Sequence, residues 1–204
     1  MRKKTESKRQ AILDMAAELF RESGFERASM SELCSRVGGS KATIYNYFAS
    51  KEELLFEVVV QATEAEFQAT HEALDPSQQD ITKALQNFGE RFVTLIYSPA
   101  VQAVRRLVVS EAGRSDLGRR CYEIGPARSM AEVAEFLQQA MRQGQLKQAD
   151  PNIACLHLKG LLEAEWLDHF MFHTFEAPKP QQIAATVQRA VAVFMAAYGA
   201  QPAR

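Results

Sequence analysis

The sequence predicts an all-α protein of two parts: an N-terminal three-helix helix-turn-helix domain over residues 1–51 and a C-terminal helical domain over residues 52–204. Three observations lead there. Apolar residues recur at spacings of three and four almost throughout, and no useful stretch alternates with period two. Start and stop signals punctuate those stripes: Ser29 with Glu32, Ser50 with Glu53, Asp150–Pro151, Pro180, Gly24 and Gly144. The charge is also unevenly divided. The net charge of the 204 residues is −1, yet residues 1–51 hold 10 Lys/Arg against 6 Asp/Glu, and the remainder holds 14 against 19. A basic segment ahead of an acidic body implies two jobs on one chain.

Ile12, Leu13, Ala16, Ala17 and Phe20 form the first helical stripe, stopped by Gly24–Phe25. Ser29 and Glu32 are spaced as a capping box and open a short helix whose Met30, Leu33, Cys34 and Val37 face one way. Gly38–Gly39 breaks it, and Ser40 caps a third helix in which Ile44 and Phe48 lie one turn apart. Ser50 with Glu53 opens the next, through Leu54, Leu55, Val58, Val59 and Phe67. Asp75–Pro76–Ser77 reads as a loop. Ile81, Leu85, Phe88, Phe92, Leu95 and Ile96 make another stripe, ending near Ser98–Pro99, and Val101, Val104, Leu107 and Val108 follow. Beyond a charged, glycine-containing stretch from Gly113 to Gly118, Gly125–Pro126 is expected to precede a helix through Met130, Val133, Phe136, Leu137, Ala140 and Met141, closed by Gly144. Asp150–Pro151 starts a helix expected to run to about Phe172, and Pro180 starts the last, with Ile183, Val187, Ala190, Val191, Phe194, Met195 and Tyr198.

Composition removes several classes. With 47% hydrophobic and 24% charged residues the chain is an average globular protein, long enough for a core without staples. Three cysteines, Cys34, Cys121 and Cys155, without CxxC spacing indicate neither a disulfide framework nor a zinc ribbon, so a reducing cytoplasm is the expected home. Arg2, Lys3 and Lys4 are followed by no apolar run, which argues against a signal peptide, and no stretch approaches a membrane span. There is no GxSxG elbow, P-loop or Rossmann glycine pattern, so neither enzyme activity nor a cofactor is expected. Glu165, His169 and His173 recur every fourth residue, a spacing that metal ligands use, but no HExxH pattern accompanies them; a charged surface cluster is the expectation and metal binding is not.

Two short helices joined at Gly38–Gly39–Ser40 inside a basic segment fit a helix-turn-helix, whose second helix is narrow enough for the major groove. On a helical wheel Ile44 and Phe48 point inward, whereas Ala42, Thr43, Tyr45 and Asn46 point out, a nearly uncharged face suited to base edges. Lys41 and Lys51 flank it as phosphate binders, and Arg2, Lys3, Lys4, Lys8 and Arg9 add sequence-independent attraction. A plain three-helix core with a solvated basic face would look similar.

The residues also carry a resemblance. Ile12–Leu13, Ala16–Ala17, Leu19–Phe20, Gly24–Phe25, Ser29–Met30, Leu33, Val37–Gly38, the run Ser40 to Phe48, and Ser50–Lys51–Glu52 closely resemble the TetR/AcrR family of bacterial transcriptional repressors over about residues 9–55. The resemblance implies a homodimer with two DNA-binding heads, an all-α ligand-binding and dimerisation domain, and release of double-stranded operator DNA on binding a small-molecule inducer. Matched position by position, it makes Lys41, Ala42 and Tyr45, with Ser31 and Ser29 of the preceding helix, candidates at the operator, and Thr43, Asn46, Tyr47 and Lys51 candidates at phosphates. The sequence departs from the family at Gly39, usually apolar, and at Ala28, often Thr. Gly39 is expected to loosen the turn by roughly 0.5–1 kcal/mol.

In the body, Gly144–Gln145–Leu146 before Asp150–Pro151, and the stretch from Glu111 to Pro126, resemble AcrR-like and AefR-like members. After residue 51 remain nine Phe, three Tyr and the only Trp, enough to line an apolar cavity, with Phe88, Phe92, Tyr122, Phe136, Trp166 and Phe170 as candidates for ligand contact beside ordinary core packing. The helices opened at Pro151 and Pro180 have apolar faces broad enough for a dimer interface of roughly 1,200–2,000 Å². Gly160 would allow close helix approach there, and His157 is expected to be a packing residue. A DNA-binding activator or architectural protein indifferent to ligands is the alternative.

Overall fold

The computed structural model describes residues 5–38, 40–75, 80–172, 174 and 177–200. Among them are α1 (Glu6–Ser23), α2 (Met30–Val37), α3 (Lys41–Tyr45), α4 (Lys51–Glu72), α5 (Ile81–Ile96), α6 (Pro99–Ser110), α7 (Leu117–Tyr122), α8 (Arg128–Arg142), α9 (Pro151–Glu163), α10 (Leu167–Met171) and α11 (Pro180–Tyr198). The described residues include no strand, only one isolated bridge between Leu146 and Gly199. No single helix among them is long and apolar enough to cross a membrane. Packing separates two compact units, Met1–Glu64 with Ala103–Gly118, and Ala65–Gln102 with Arg119–Arg204. Residue 51, where the charge balance changes, is the first residue of α4, and that helix belongs to the first unit as far as Glu64.

The first unit is built on caps. Thr5 Oγ1 accepts from the Lys8 amide at the start of α1, whose Ile12, Leu13, Ala16 and Leu19 turn inward. Ser29 Oγ accepts from the Glu32 amide at the start of α2, but the Glu32 carboxylate accepts from Arg36 at 2.8 Å, so only half of the expected capping box forms. At Ser50 the hydroxyl accepts from the Glu53 amide and the Glu53 carboxylate reaches back to the amide of Ala49. Ile12, Leu13, Ala16, Leu19, Leu33, Ile44, Phe48 and Leu54 close one small core.

In the second unit α5, α8, α9 and α11 share a larger core around Leu85, Phe88, Leu137, Leu158, Leu162, Val187 and Phe194. Gly89 is where these helices crowd: a Cβ built there would lie 2.7 Å from Val187 Cγ1 and 2.9 Å from Leu162 Cδ2. The Lys147 amide donates to Tyr198 O at 2.8 Å, and Ala200 to Gln145 O at 3.2 Å, pinning the end of α11 to the connection between α8 and α9.

One helix departs from expectation, and one connection has an unexpected form. Gly125–Pro126 precedes α8 as expected, without a break in the chain. It lies inside a π turn, Glu123–Ala127, that joins α7 to α8 continuously, because the wider turn accommodates a residue with no amide hydrogen. Conversely, the helix opened at Pro151 does not reach Phe172. It stops at Glu163 and resumes as α10 from Leu167. At the break Trp166 packs against the core, and Glu165 takes bonds from Thr186 and Arg189 of α11; these long-range contacts outweigh local helix propensity.

Candidate nucleic-acid interface

The α2–α3 pair is set by a short sequence of local constraints. Gly38 ends α2 in the left-handed region, φ 68° and ψ 42°, which a side chain would strain, and its amide donates to Cys34 O at 3.1 Å. Gly39 lies outside the described residues. Ser40 then caps α3, its Oγ accepting from the Thr43 amide at 3.1 Å and lying 2.9 Å from Thr43 Oγ1. Ile44 and Phe48 are fully buried, which fixes the helix in rotation about its own axis. Lys41, Ala42, Tyr45 and Asn46 are thereby exposed together, Tyr45 with 47% of its surface open.

The remaining expected contacts are found in differing states. Ser31 and Ser29 are exposed in and before the first turn of α2, with the Ser29 oxygen already accepting its capping bond. Tyr47 is half-buried, and its hydroxyl accepts from the Thr5 amide at 2.9 Å, tying the start of α1 to the turn that follows α3. Lys51 turns its ammonium toward the α1–α2 connection rather than outward.

Much of the positive charge of this unit is spent within it. Lys8 donates to Val37 O at 3.3 Å. Arg9 pairs with Glu57 at 2.7 Å and lies 5.4 Å from the centre of the Phe48 ring. Arg36 pairs with Glu22 and Glu32, and those hydrogen bonds hold its guanidinium above its ordinary pKa. Lys8 and Arg9, expected to attract phosphate, are therefore internal struts. Arg2, Lys3 and Lys4 lie outside the described residues.

Of the six aromatics considered for ligand contact, Phe88, Phe92, Phe136 and Phe170 are buried in one cluster, and Trp166 packs half-buried against it. Tyr122 is apart from them, 53% exposed. Phe88 and Phe92 stack with centroids 5.5 Å apart. Phe67, His71 and Phe88 extend the row, at 4.3 Å and 5.7 Å, and the Arg128 guanidinium caps its outer end 4.3 Å from Phe67. The polar members, His71 of α4 and Ser129 of α8, escaped sequence reading because no periodicity links residues 58 positions apart. A separate polar cleft of about 520 Å³, open to solvent, is lined by Ala69, Glu72, Ala73, Asn87, Glu90 and Arg91 and contains none of the six aromatics.

Glu165 and His169 do not share a helix face. Arg189 holds Glu165 in a two-point ion pair, 2.9 and 2.6 Å, which keeps its carboxyl below the usual carboxylate range. His169 Nδ1 lies 2.9 Å from Thr174 Oγ1, and His173 lies outside the described residues. Among the described residues no group of three or more His, Cys, Asp or Glu could hold a metal ion.

Comparison with known proteins agrees with this geometry at both ends of the chain. Residues 12–58 match the profile of bacterial regulatory proteins of the tetR family, and residues 83–200 match the C-terminal domain of AefR-like transcriptional repressors. The transcriptional regulator UidR of Escherichia coli K12 is 38% identical over 64 residues, 31% of this chain and 33% of UidR, so the match spans about a third of that relative. Among solved structures, a TetR-family regulator from Mesorhizobium loti superposes with a TM-score of 0.80 at 27% identity, covering 96% of this chain and 100% of its own. The flavonoid-responsive regulator FrrA superposes with a TM-score of 0.70 at 26% identity, covering 97% and 100%.

Proposed function

The chain belongs to the TetR family of bacterial transcriptional regulators, which are not enzymes, and from that premise we propose that it is a homodimeric cytoplasmic repressor released from its operator by a lipophilic aromatic molecule. The observation that supports operator reading most directly is the exposed face of α3. Ala42, Tyr45 and Asn46 offer methyl, ring and amide groups to base edges, backed by the buried Ile44 and Phe48, while Lys41 supplies charge beside them.

Pairing of two copies is supported by apolar residues left open on α9 and α11. Ile153 is 46% exposed, Leu156 45% and Val193 55%, and a Cβ at Gly160 would meet nothing within 4 Å, so that face is open to close approach by a second copy. Such pairing sets two reading heads on one two-fold axis, matched to a two-fold operator.

FrrA is named for its response to flavonoids, and the row Phe67–His71–Phe88–Phe92, packed in the interior of the second unit, has the aromatic and polar-edged chemistry of such a ligand, which would enter by parting these rings. Release requires the ligand to bind the released state more tightly than the DNA-bound one. Helix α4 supplies the lever: it contributes Leu54 to the core of the first unit and Thr70 and His71 to the interior of the second. Fluorescence anisotropy of labelled operator tests the reading, with planar polyphenols titrated into the preformed complex. A fall in anisotropy supports it, whereas a complex indifferent to every such ligand favours a ligand-independent activator or architectural protein.

A further inference from the structure

We propose that Lys51 serves operator binding as a positioning residue inside the head, and not as a phosphate ligand. Its Nζ donates to the carbonyl oxygens of Phe25 at 2.8 Å, Ala28 at 3.3 Å and Glu26 at 3.5 Å. An ammonium group has three hydrogens, and these three acceptors receive them. Among the described residues no backbone amide donates to any of the three carbonyls, so the connection between α1 and α2 is short of donors without this side chain.

The same ammonium sits 4.2 Å from the centre of the Phe25 ring, which packs edge-on to Phe20 of α1 at 5.6 Å. The first residue of α4 is thus fastened to α1 and to the turn that leads into α2. Ala28, one of the three acceptors, is buried in the core and immediately precedes Ser29, the cap of α2. Lys51 therefore determines where α2 begins and, through α2, where Ser31 and the reading helix stand. A phosphate would have to compete with three carbonyl acceptors and a ring contact for the three hydrogens of this ammonium.

Operator and random-DNA affinities measured over a salt series, for the full-length wild-type protein, Lys51→Met and Lys51→Arg, separate the two roles. A phosphate ligand replaced by methionine reduces the slope of log affinity against log salt by about 0.9 per protomer, lowers affinity for operator and random DNA alike, and is rescued by arginine. A strut behaves otherwise. Methionine is expected to lower operator affinity at least tenfold with the slope and random-DNA affinity unchanged, and arginine, too bulky for the carbonyl socket, is expected not to restore it. Retained affinity in both variants, or the phosphate pattern, overturns the proposal. Should Lys51→Met fail to fold, the charge-preserving Lys51→Arg decides alone: wild-type operator affinity rejects the strut, and loss of operator affinity with random-DNA binding kept supports it.

Discussion

His71 on α4 and Ser129 on α8 meet across the interior, with 2.8 Å between His71 Nε2 and Ser129 Oγ. On the other side of the ring, Nδ1 lies 2.8 Å from the carbonyl oxygen of Phe67, which can only accept, so Nδ1 carries the hydrogen. In the neutral ring Nε2 is then the acceptor and the serine hydroxyl the donor. Ser129→Ala leaves this nitrogen buried without a partner, and we expect a loss of about 1–3 kcal/mol, read as a lower urea midpoint at unchanged m-value.

Gly89 gives a second quantitative expectation. With Val187 and Leu162 atoms inside 3.0 Å of a Cβ, Gly89→Ala must push α5 away from its neighbours. Overpacking of this kind costs about 1–3 kcal/mol despite the better helix propensity of alanine. Adding Val187→Ala should make the pair less destabilising than the sum of the singles, and thermal unfolding of the four proteins in that cycle measures the difference.

These packing relationships mark the limit of what the sequence discloses. The head was legible because its signals are local: Ser40 caps three residues ahead, Gly38 turns where it stands, and Ile44 with Phe48 reveal the inward face of α3. The exposure of Ala42, Tyr45 and Asn46 followed from the same wheel. The break after Glu163 was not legible, because Arg189 and Thr186, some twenty residues onward, decide where Glu165 points. The π turn at Pro126 was hidden for the opposite reason, since a proline that locally signals a stop is tolerated in a widened turn. The Lys51 socket escaped because its acceptors are backbone carbonyls, which leave no mark in a side-chain pattern.

Cys155 links packing to pH. It is buried, its Sγ lies 3.7 Å from Met130 O, and burial pushes its thiol up to about 11 from an ordinary 9.0. A folded-state value raised in this way gives stability that is fully present below pH 9 and is lost as pH climbs toward 11. Stability measured between those values should fall in the wild type and fall less in Cys155→Ala. At pH 8 native Cys155 should resist iodoacetamide while half-buried Cys121 is labelled first, as mass spectrometry of the alkylated protein would record.

Tyr45 and Lys41 share one exposed face but differ in chemistry. If its ring and hydroxyl read base edges as proposed, Tyr45→Ala should cost about 1–3 kcal/mol against the preferred operator and little against random DNA. Lys41→Ala should weaken both and reduce the salt slope by about 0.9 per protomer. Equal losses on operator and random DNA for both variants would contradict this division.

Two identical heads reading one two-fold site are the centre of the proposed function, and selection of bound duplexes from a random pool tests that most directly. The expected result is an enriched inverted repeat whose half-sites are centred about one helical turn, roughly 34–36 Å, or a multiple of it, apart. A pool that yields no motif, or a single half-site without its inverted partner, would contradict the account.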